Sequence, residues 1–479
     1  MEHTFKLLID GRLVSTPRTF PVVNPATAAP FAACPDADPE HVETAVAAAK
    51  RAFPGWSALP VEQRADRIEA ICQAMEVRAS EFTALLTSEQ GAPLNQAGAE
   101  VHHAIETLRA FRDMRVESRV LRDGPKGKVI EHRTPLGVVA AIVPWNFPLV
   151  LLINKLGPAL ITGNTVIVKP ASTTPLTALL LGEILADVLP AGVVNILAGT
   201  HLGSSLSEHP DVAMVTLTGS TETGKAVMAA AAKSMKRVTL ELGGNDVVIV
   251  LDDVDVKHVA AQVFKAAMSN SGQICVAPKR AYVPAAVYDE FCDEMARLAG
   301  ELVVGDGSQQ GTQMGPLQNK SQFERVLALI EDSRERGTII AGGHPLDRDG
   351  YFIAPTIVRD LPDDALLVSE EQFGPAFPVL RYDNIDDVIA RANNSIYGLA
   401  GTIWARDVDR AIEIAKQIDS GTVWINQHFA IEPTIPMRGA KQSGLGAELG
   451  QDGLHEFTQA HVVNAVGYGD GDISIRGAA

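Results

Sequence analysis

Between residues 136 and 250 short β-branched runs recur, and several of them are followed by helical stretches; this alternation constrains the fold more than any other feature of the chain. The runs cover residues 137–143, 165–168, 193–197, 212–217, 238–241 and 247–250. They are apolar without strict alternation, as strands buried on both faces are. Helical segments at 175–188 and 222–234 lie between them. Strand, helix, strand in this order predicts βαβ units and a parallel sheet. In such sheets ligands sit outside the carboxyl ends of the strands. A second alternation starts near Asp255, with a helix to about Asn270, a strand near 280–283, and helices before Leu302 and over 321–337. It reads as a second α/β domain with Cys275 in its first loop. Upstream, residues 39–119 read as helices, opened by Asp38 as a cap and Pro39 at the first helical position. His102 and His103 in that stretch read as ordinary helix histidines.

The chain of 479 residues exceeds what one hydrophobic core normally serves, and 46% hydrophobic with 21% charged residues describes a globular protein. A net charge of -17 disfavours nucleic acid as a partner, because phosphate contacts need clustered Lys and Arg. Cys34, Cys72, Cys275 and Cys292 form no CxxC and no His/Cys cluster, so neither a disulfide framework nor a metal site is expected. The first residues lack a signal-peptide pattern, and the cytoplasm is the expected location. The most apolar region, 136–169, is broken by Pro144, Asn146, Pro148, Asn154 and Lys155. No stretch reaches the roughly 20 apolar residues of a membrane span.

Several segments carry chemistry. Cys275 stands between Ile274 and Val276, and Glu241 opens Glu-Leu-Gly-Gly 34 residues earlier. A thiol and a remote carboxylate are the minimum for nucleophilic attack followed by activated hydrolysis. The turn Thr218-Gly219-Ser220-Thr221-Glu222-Thr223-Gly224 follows a strand and opens an alanine-rich helix. Its glycines and free amides can hold a phosphate, although it is neither GxGxxG nor a Walker motif. Lys169 places a cation at another strand end. Pro144-Trp145-Asn146-Phe147-Pro148 forms a stiff turn whose Asn146 can donate to an oxyanion. Glu370-Glu371-Gln372-Phe373-Gly374-Pro375 offers carboxylates beside an aromatic ring, suited to a metal, to acid and base work, or to a sugar hydroxyl. The run Asp252-Asp253-Val254-Asp255 reads as a helix start.

Taken in order, PWNFP at Pro144, KP at Lys169, GSTETG at Gly219, ELGG at Glu241, GQIC at Gly272 and EQFGP at Glu371 make the chain resemble the aldehyde dehydrogenase superfamily over essentially its whole length. The resemblance implies an α/β fold with a Rossmann-like cofactor domain (1–116 and 136–243), an α/β catalytic domain (244–445) and a β-flap oligomerisation element (117–135 and 455–479). It implies Cys275 as nucleophile, Glu241 as general base, and Asn146 with the Cys275 N–H as oxyanion hole. The implied cofactor is NAD or NADP, held in such a relative by the positions of Pro144, Trp145, Lys169, Ser172, Gly219, Ser220, Thr223, Leu242, Glu371 and Phe373. Lys169 and Glu371 correspond to ribose contacts, and Ser220 to a pyrophosphate contact. Ser172 stands where NAD-preferring relatives often carry a carboxylate, so NADP is expected to be tolerated or preferred. Position by motif assigns Phe147, Leu151, Asn154, Ile274, Val276, His428, Phe429 and Ile431 to the aldehyde tunnel. Their largely apolar character favours a hydrophobic or aromatic small-molecule aldehyde. No metal and no membrane partner is implied, and a homodimer or homotetramer is. Three other readings compete: a semialdehyde dehydrogenase binding a substrate carboxylate through Arg438, a CoA-acylating dehydrogenase, which Glu241 disfavours, and a non-catalytic structural or binding relative.

Overall fold

The computed structural model describes residues 4–200 and 202–467. Two large sheets organise it. The first has eight strands in the order Arg12–Val14, Leu7–Ile9, Val194–Ile196, Thr165–Lys169, Val138–Ile142, Met214–Thr218, Arg237–Glu241 and Gly444–Leu445. The five from Val194–Ile196 to Arg237–Glu241 are mutually parallel, and the outer strands are antiparallel additions. Their near-continuous Val, Ile, Leu and Ala content follows from burial on both faces.

The second sheet has seven strands, in the order Thr338–Ala341, Thr356–Arg359, Ala376–Tyr382, Pro278–Pro284, Asp246–Val250, Ala400–Trp404 and Thr422–Ile425. Glu241 closes the last parallel strand of the first sheet, and Asp246 opens a strand of the second. Only residues 242–245 connect them, so the ELGG turn lies at the junction of the two sheets. A third sheet joins Thr458–Ala465, Gly127–Pro135 and Arg119–Gly124, pairing the tail with the segment near residue 120. Residues 468–479 of the expected flap lie outside the described residues.

The helical stretch upstream resolves into Pro39–Ser57, Val61–Val77, Ala79–Gln90 and Leu94–Asp113. Asp38 caps the first of these, accepting from the Glu40 and His41 amides, with Pro39 at its start. Asp255 likewise caps Val256–Met268 by accepting from His258 N–H, while Asp252 pairs with Arg410. That helix ends two residues before Asn270. Asn270 and Ser271 take left-handed conformations, with φ of 48° and 56°, so the chain turns sharply into the Cys275 loop. The strands Leu7–Ile9 and Arg12–Val14 and the hairpin Thr19–Asn24/Ala29–Pro35 had no counterpart in the sequence reading.

Among the described residues no helix is long and apolar enough to cross a membrane.

Candidate active site

A cavity of about 410 Å³ opens where the parallel strands of the first sheet end. Pro144, Trp145, Asn146, Gly219, Ser220, Leu242, Cys275, Glu371 and Phe373 all line it, so residues far apart in sequence converge on one space. Its floor is the start of the helix Thr221–Ala232. Ser220 caps this helix by accepting from Thr223 N–H at 3.2 Å, leaving the earlier amides free for an anion. Gly224 lets the helix approach Leu242, since a Cβ there would come within 2.6 Å of its side chain. Trp145 and Phe373 meet edge to face at 5.3 Å between centroids, forming an aromatic wall. Glu371 accepts from Gly244 N–H at 3.0 Å, and burial raises its pKa, with Lys279 opposing that rise.

Lys169, Ser172 and Thr223 are not among the side chains lining this cavity. Lys169 is largely withdrawn from water at the end of its strand, its Nζ donating to Pro170 O at 3.2 Å, and burial lowers its pKa. No carboxylate forms an ion pair with it among the described residues. A buried ammonium in that condition suits a neutral acceptor such as a sugar hydroxyl.

Cys275 is half-buried on a tightly fastened loop. Asn270 Nδ2 donates to Asn146 O at 3.0 Å, and Asn146 Nδ2 donates to Gln273 O at 3.0 Å. Gln90 holds Asn270 Oδ1 at 2.9 Å, and Gln318 N–H holds Gln273 Oε1 at 2.8 Å. Lys279, 1% exposed, donates to Ile274 O at 2.6 Å and Gly272 O at 3.3 Å while its Nζ sits 5.2 Å from the Phe373 ring centre. Lys279 and Asn270 therefore fix the thiol's backbone, and neither was singled out in the sequence. Burial pushes the Cys275 thiol pKa far up, the carboxylates of Glu241, Glu371 and Asp246 add to that, and Lys279 opposes it.

Glu241 is 6% exposed and its Oε1 has no protein partner. Burial raises its pKa well above the usual carboxylate value; Glu448 raises it further and Lys155 counteracts. Lys155 and Glu448 form a buried ion pair, and Lys155 also donates to Thr218 Oγ1 at 2.6 Å. This pair joins positions 293 residues apart and left no signature in the sequence.

On the other side of the thiol, Ile274, Val276, Ala277, Leu399, Ala400 and Trp424 form an apolar cluster joined by Phe147, Phe429, Ile431 and Cys275 itself. Leu151 packs instead against the core of the first sheet. Asn154 keeps a buried Oδ1 without a protein partner. His428 bonds Val276 O through Nε2 at 2.9 Å, and burial lowers its pKa to about 4, so its ring is neutral. Arg438 pairs with Asp452 at 2.6 Å on half-exposed surface, which spends its charge away from Cys275.

Residues 13–463 match the profile of the aldehyde dehydrogenase family. The chain is 39% identical to the mitochondrial aldehyde dehydrogenase of Leishmania tarentolae over 469 residues, covering 96% of this chain and 94% of that one. The structure of the NAD+ complex of aldehyde dehydrogenase from Bacillus cereus superposes with a TM-score of 0.95 at 36% identity, covering 97% and 96%. The structure of an E. coli NADP-dependent enzyme gives 0.94 at 34% identity, covering 96% and 98%. With this agreement in sequence and fold over nearly its full length, the chain belongs to the aldehyde dehydrogenase family of NAD(P)-dependent oxidoreductases.

Proposed function

We propose that the chain oxidises an aldehyde with a hydrophobic or aromatic body to its carboxylic acid, with Cys275 as nucleophile, Glu241 as general base and Asn146 as oxyanion donor. The observation that carries this reading is the lining of one cavity by Cys275, Asn146, Leu242 and the Gly219-Ser220 turn, with the Glu241 carboxylate in electrostatic reach of the thiol. The Cys275 thiol gives its proton up to solvent, and attack of the resulting thiolate on the aldehyde carbon gives a thiohemiacetal oxyanion. An amide has two N–H groups; Asn146 Nδ2 uses one on Gln273 O, and the other, with the Cys275 N–H, serves the oxyanion. Bound NAD(P)+ would supply the hydride acceptor, and loss of hydride from the former aldehyde carbon leaves the thioester on Cys275. Glu241, in its ionised form, then removes a proton from water as that water attacks the thioester. The acid departs and the thiol is restored.

The residues fit a dinucleotide: free helix amides at Ser220 for a pyrophosphate, an aromatic wall at Trp145 and Phe373, and Lys169 and Glu371 for ribose hydroxyls. Ser172 in place of a carboxylate supports acceptance of a 2′-phosphate, hence NADP as well as NAD. Comparing kcat/KM for both cofactors in Ser172→Glu and the parent tests this, with a shift toward NAD expected and an unchanged ratio removing Ser172 from the reading. The two large sheets and the third small one support the division into cofactor domain, catalytic domain and flap, except that Gly444–Leu445, placed by sequence at the end of the catalytic domain (244–445), pairs with Arg237–Glu241 in the first sheet. Exposed Val120, Leu121, Val462 and Val463 on that small sheet support a homo-oligomer. All four cysteines are free, which is consistent with a reducing, cytoplasmic setting.

A panel of aliphatic and aromatic aldehydes assayed by NAD(P)H absorbance, with acid measured in the absence of CoA, tests the reaction. Cys275→Ala is expected to abolish it. Turnover that persists in this variant, or needs CoA, overturns the mechanism.

A further inference from the structure

A second cavity, of about 480 Å³, lies against the second sheet and is lined by Gln262, Lys265, Trp404, Gln427, His428 and Phe429 among others. Two of its lining residues belong to the surroundings of the thiol. Phe429 belongs to the apolar cluster that contains Cys275, and His428 bonds the carbonyl of Val276, the next residue after Cys275. The cavity also occupies a privileged place in the sheet. Trp404 ends the strand Ala400–Trp404, and Asn426 to Phe429 follow the parallel neighbour Thr422–Ile425. The carboxyl ends of parallel strands are where open α/β sheets receive ligands.

The lining carries cationic but no anionic charge, and its buried unpartnered polar atoms are the Trp404 N–H, a donor, and His428 Nδ1, an acceptor because Nε2 donates to Val276 O. The lining contains no carboxylate. Lys265 is exposed in the last turn of the helix Val256–Met268 and has no ion-pair partner among the described residues. Asp255, at the other end of that helix, is ten residues away, about 15 Å along the axis. Trp404 is 5% exposed, and its indole N–H, a donor only, is buried without a protein partner. Asn426 has both its amide atoms engaged by Ala405. The cavity thus combines an unpaired cation with an unpaired buried donor, and both call for an acceptor, best a negatively charged one.

Building on the proposed aldehyde oxidation at Cys275, we infer that this cavity receives the distal end of the substrate, and that the favoured aldehyde has an apolar stem ending in a carboxylate. The stem lies along Phe147, Ile274, Phe429 and Ile431. Lys265 supplies the countercharge, and the Trp404 N–H supplies a hydrogen bond. Arg438 plays no part, since Asp452 holds it.

The experiment compares straight-chain alkanals with ω-carboxyalkanals of matched length, over a ladder of lengths, in the full-length enzyme with saturating NAD(P)+. At the best length the carboxylated aldehyde should exceed its alkanal in kcat/KM by about tenfold, through KM, as one charge-assisted contact allows. Raising the salt should shrink that preference. Lys265→Met should reduce the ratio to about one while leaving kcat/KM for the alkanal within about twofold, and Lys265→Arg should retain the preference. Trp404→Phe, which keeps an aromatic ring at the position but removes the N–H, should lower the ratio partway. Equal use of both aldehydes by the parent, or a ratio unchanged in Lys265→Met, overturns the inference while alkanal oxidation keeps the proposed reaction intact. No oxidation of either aldehyde overturns both.

Discussion

Glu241 must hold a proton for part of each cycle and release it for another part, and its surroundings set when that happens. Burial and the nearby Glu448 raise its pKa, so the ionised form needed to activate water becomes more abundant as pH rises. The rate of thioester hydrolysis should therefore climb with pH along a limb governed by this group. Glu241→Gln should remove the limb and cut kcat by roughly 10²–10⁴, the usual range for losing a general base. Because the variant keeps Cys275 and Asn146, hydride transfer survives, and stopped-flow absorbance should show a burst of NAD(P)H followed by a slow steady state. A loss of burst and steady rate in equal measure would instead put Glu241 in the first half-reaction. Cys275, Glu241 and Asn146 were all legible as candidates, because a thiol, a carboxylate and an amide in distinctive turns announce their chemistry. Lys155 and Glu448 were not, since an ion pair made across 293 residues depends on tertiary packing and leaves no local pattern. Lys279 was hidden for a similar reason, its ammonium being spent on carbonyls of a loop that only the fold brings under it.

At the scale of elements, the loop that carries the thiol is strained and fastened together. Gly272 has a φ of 74°, and a Cβ on it would stand 2.3 Å from Gly374 O, so only glycine lets this loop touch the Phe373-Gly374 turn. Gly272→Ala should cost about 1–3 kcal/mol from the backbone conformation alone and more from the clash, and kcat/KM should fall by at least about tenfold as Cys275 shifts. Gly300→Ala is the matched control. Gly300 sits in the helix Tyr288–Glu301 with nothing near its missing Cβ, and alanine there should stabilise by about 0.5–1 kcal/mol. Urea midpoints for both variants check the pair, and a neutral Gly272→Ala would mean that the two turns do not constrain each other. The strands of the parallel sheet were readable because burial on both faces demands unbroken apolar runs. Leu7–Ile9 and Arg12–Val14 were not, being three residues each and too short for any period to emerge. The helix before Cys275 was read as reaching Asn270; the left-handed pair Asn270 and Ser271 ends it earlier, and neither residue type forbids helix by itself.

Across the whole molecule, buried carboxyl groups make stability depend on pH in a direction opposite to the usual surface ion pairs. Glu89 accepts from Leu176 and Thr177 N–H at the start of Leu176–Val188, and Glu100 accepts from Leu149 and Val150 N–H at the start of Val150–Ile161. Both cap helices that flank the first sheet, yet burial outweighs those bonds and lifts their pKa values to about 7 and about 8. Asp246, at the junction of the sheets, is raised to about 7, again chiefly by burial. In the unfolded chain these groups ionise near 4. Between that range and about pH 8 the folded state therefore binds more protons than the unfolded one, so stability falls as pH rises through the window. Surface groups such as Asp113, held down by its hydrogen bond to Arg112, act the other way: their contribution is present above the unfolded pKa and lost as pH drops below about 4. Urea midpoints measured from pH 3 to 9 should thus pass through a maximum on the acid side of neutrality. Glu100→Gln isolates one group, because its amide oxygen still accepts from Leu149 and Val150 but no longer titrates. The variant should lose little stability at pH 6 and show a shallower decline toward pH 9, whereas Glu100→Ala, which deletes the cap together with the titration, should follow the same shallow profile about 1–2 kcal/mol below Glu100→Gln at both. A Glu100→Gln profile parallel to that of the parent would mean that Glu100 is ionised in the fold throughout this range, with the two helix amides outweighing its burial.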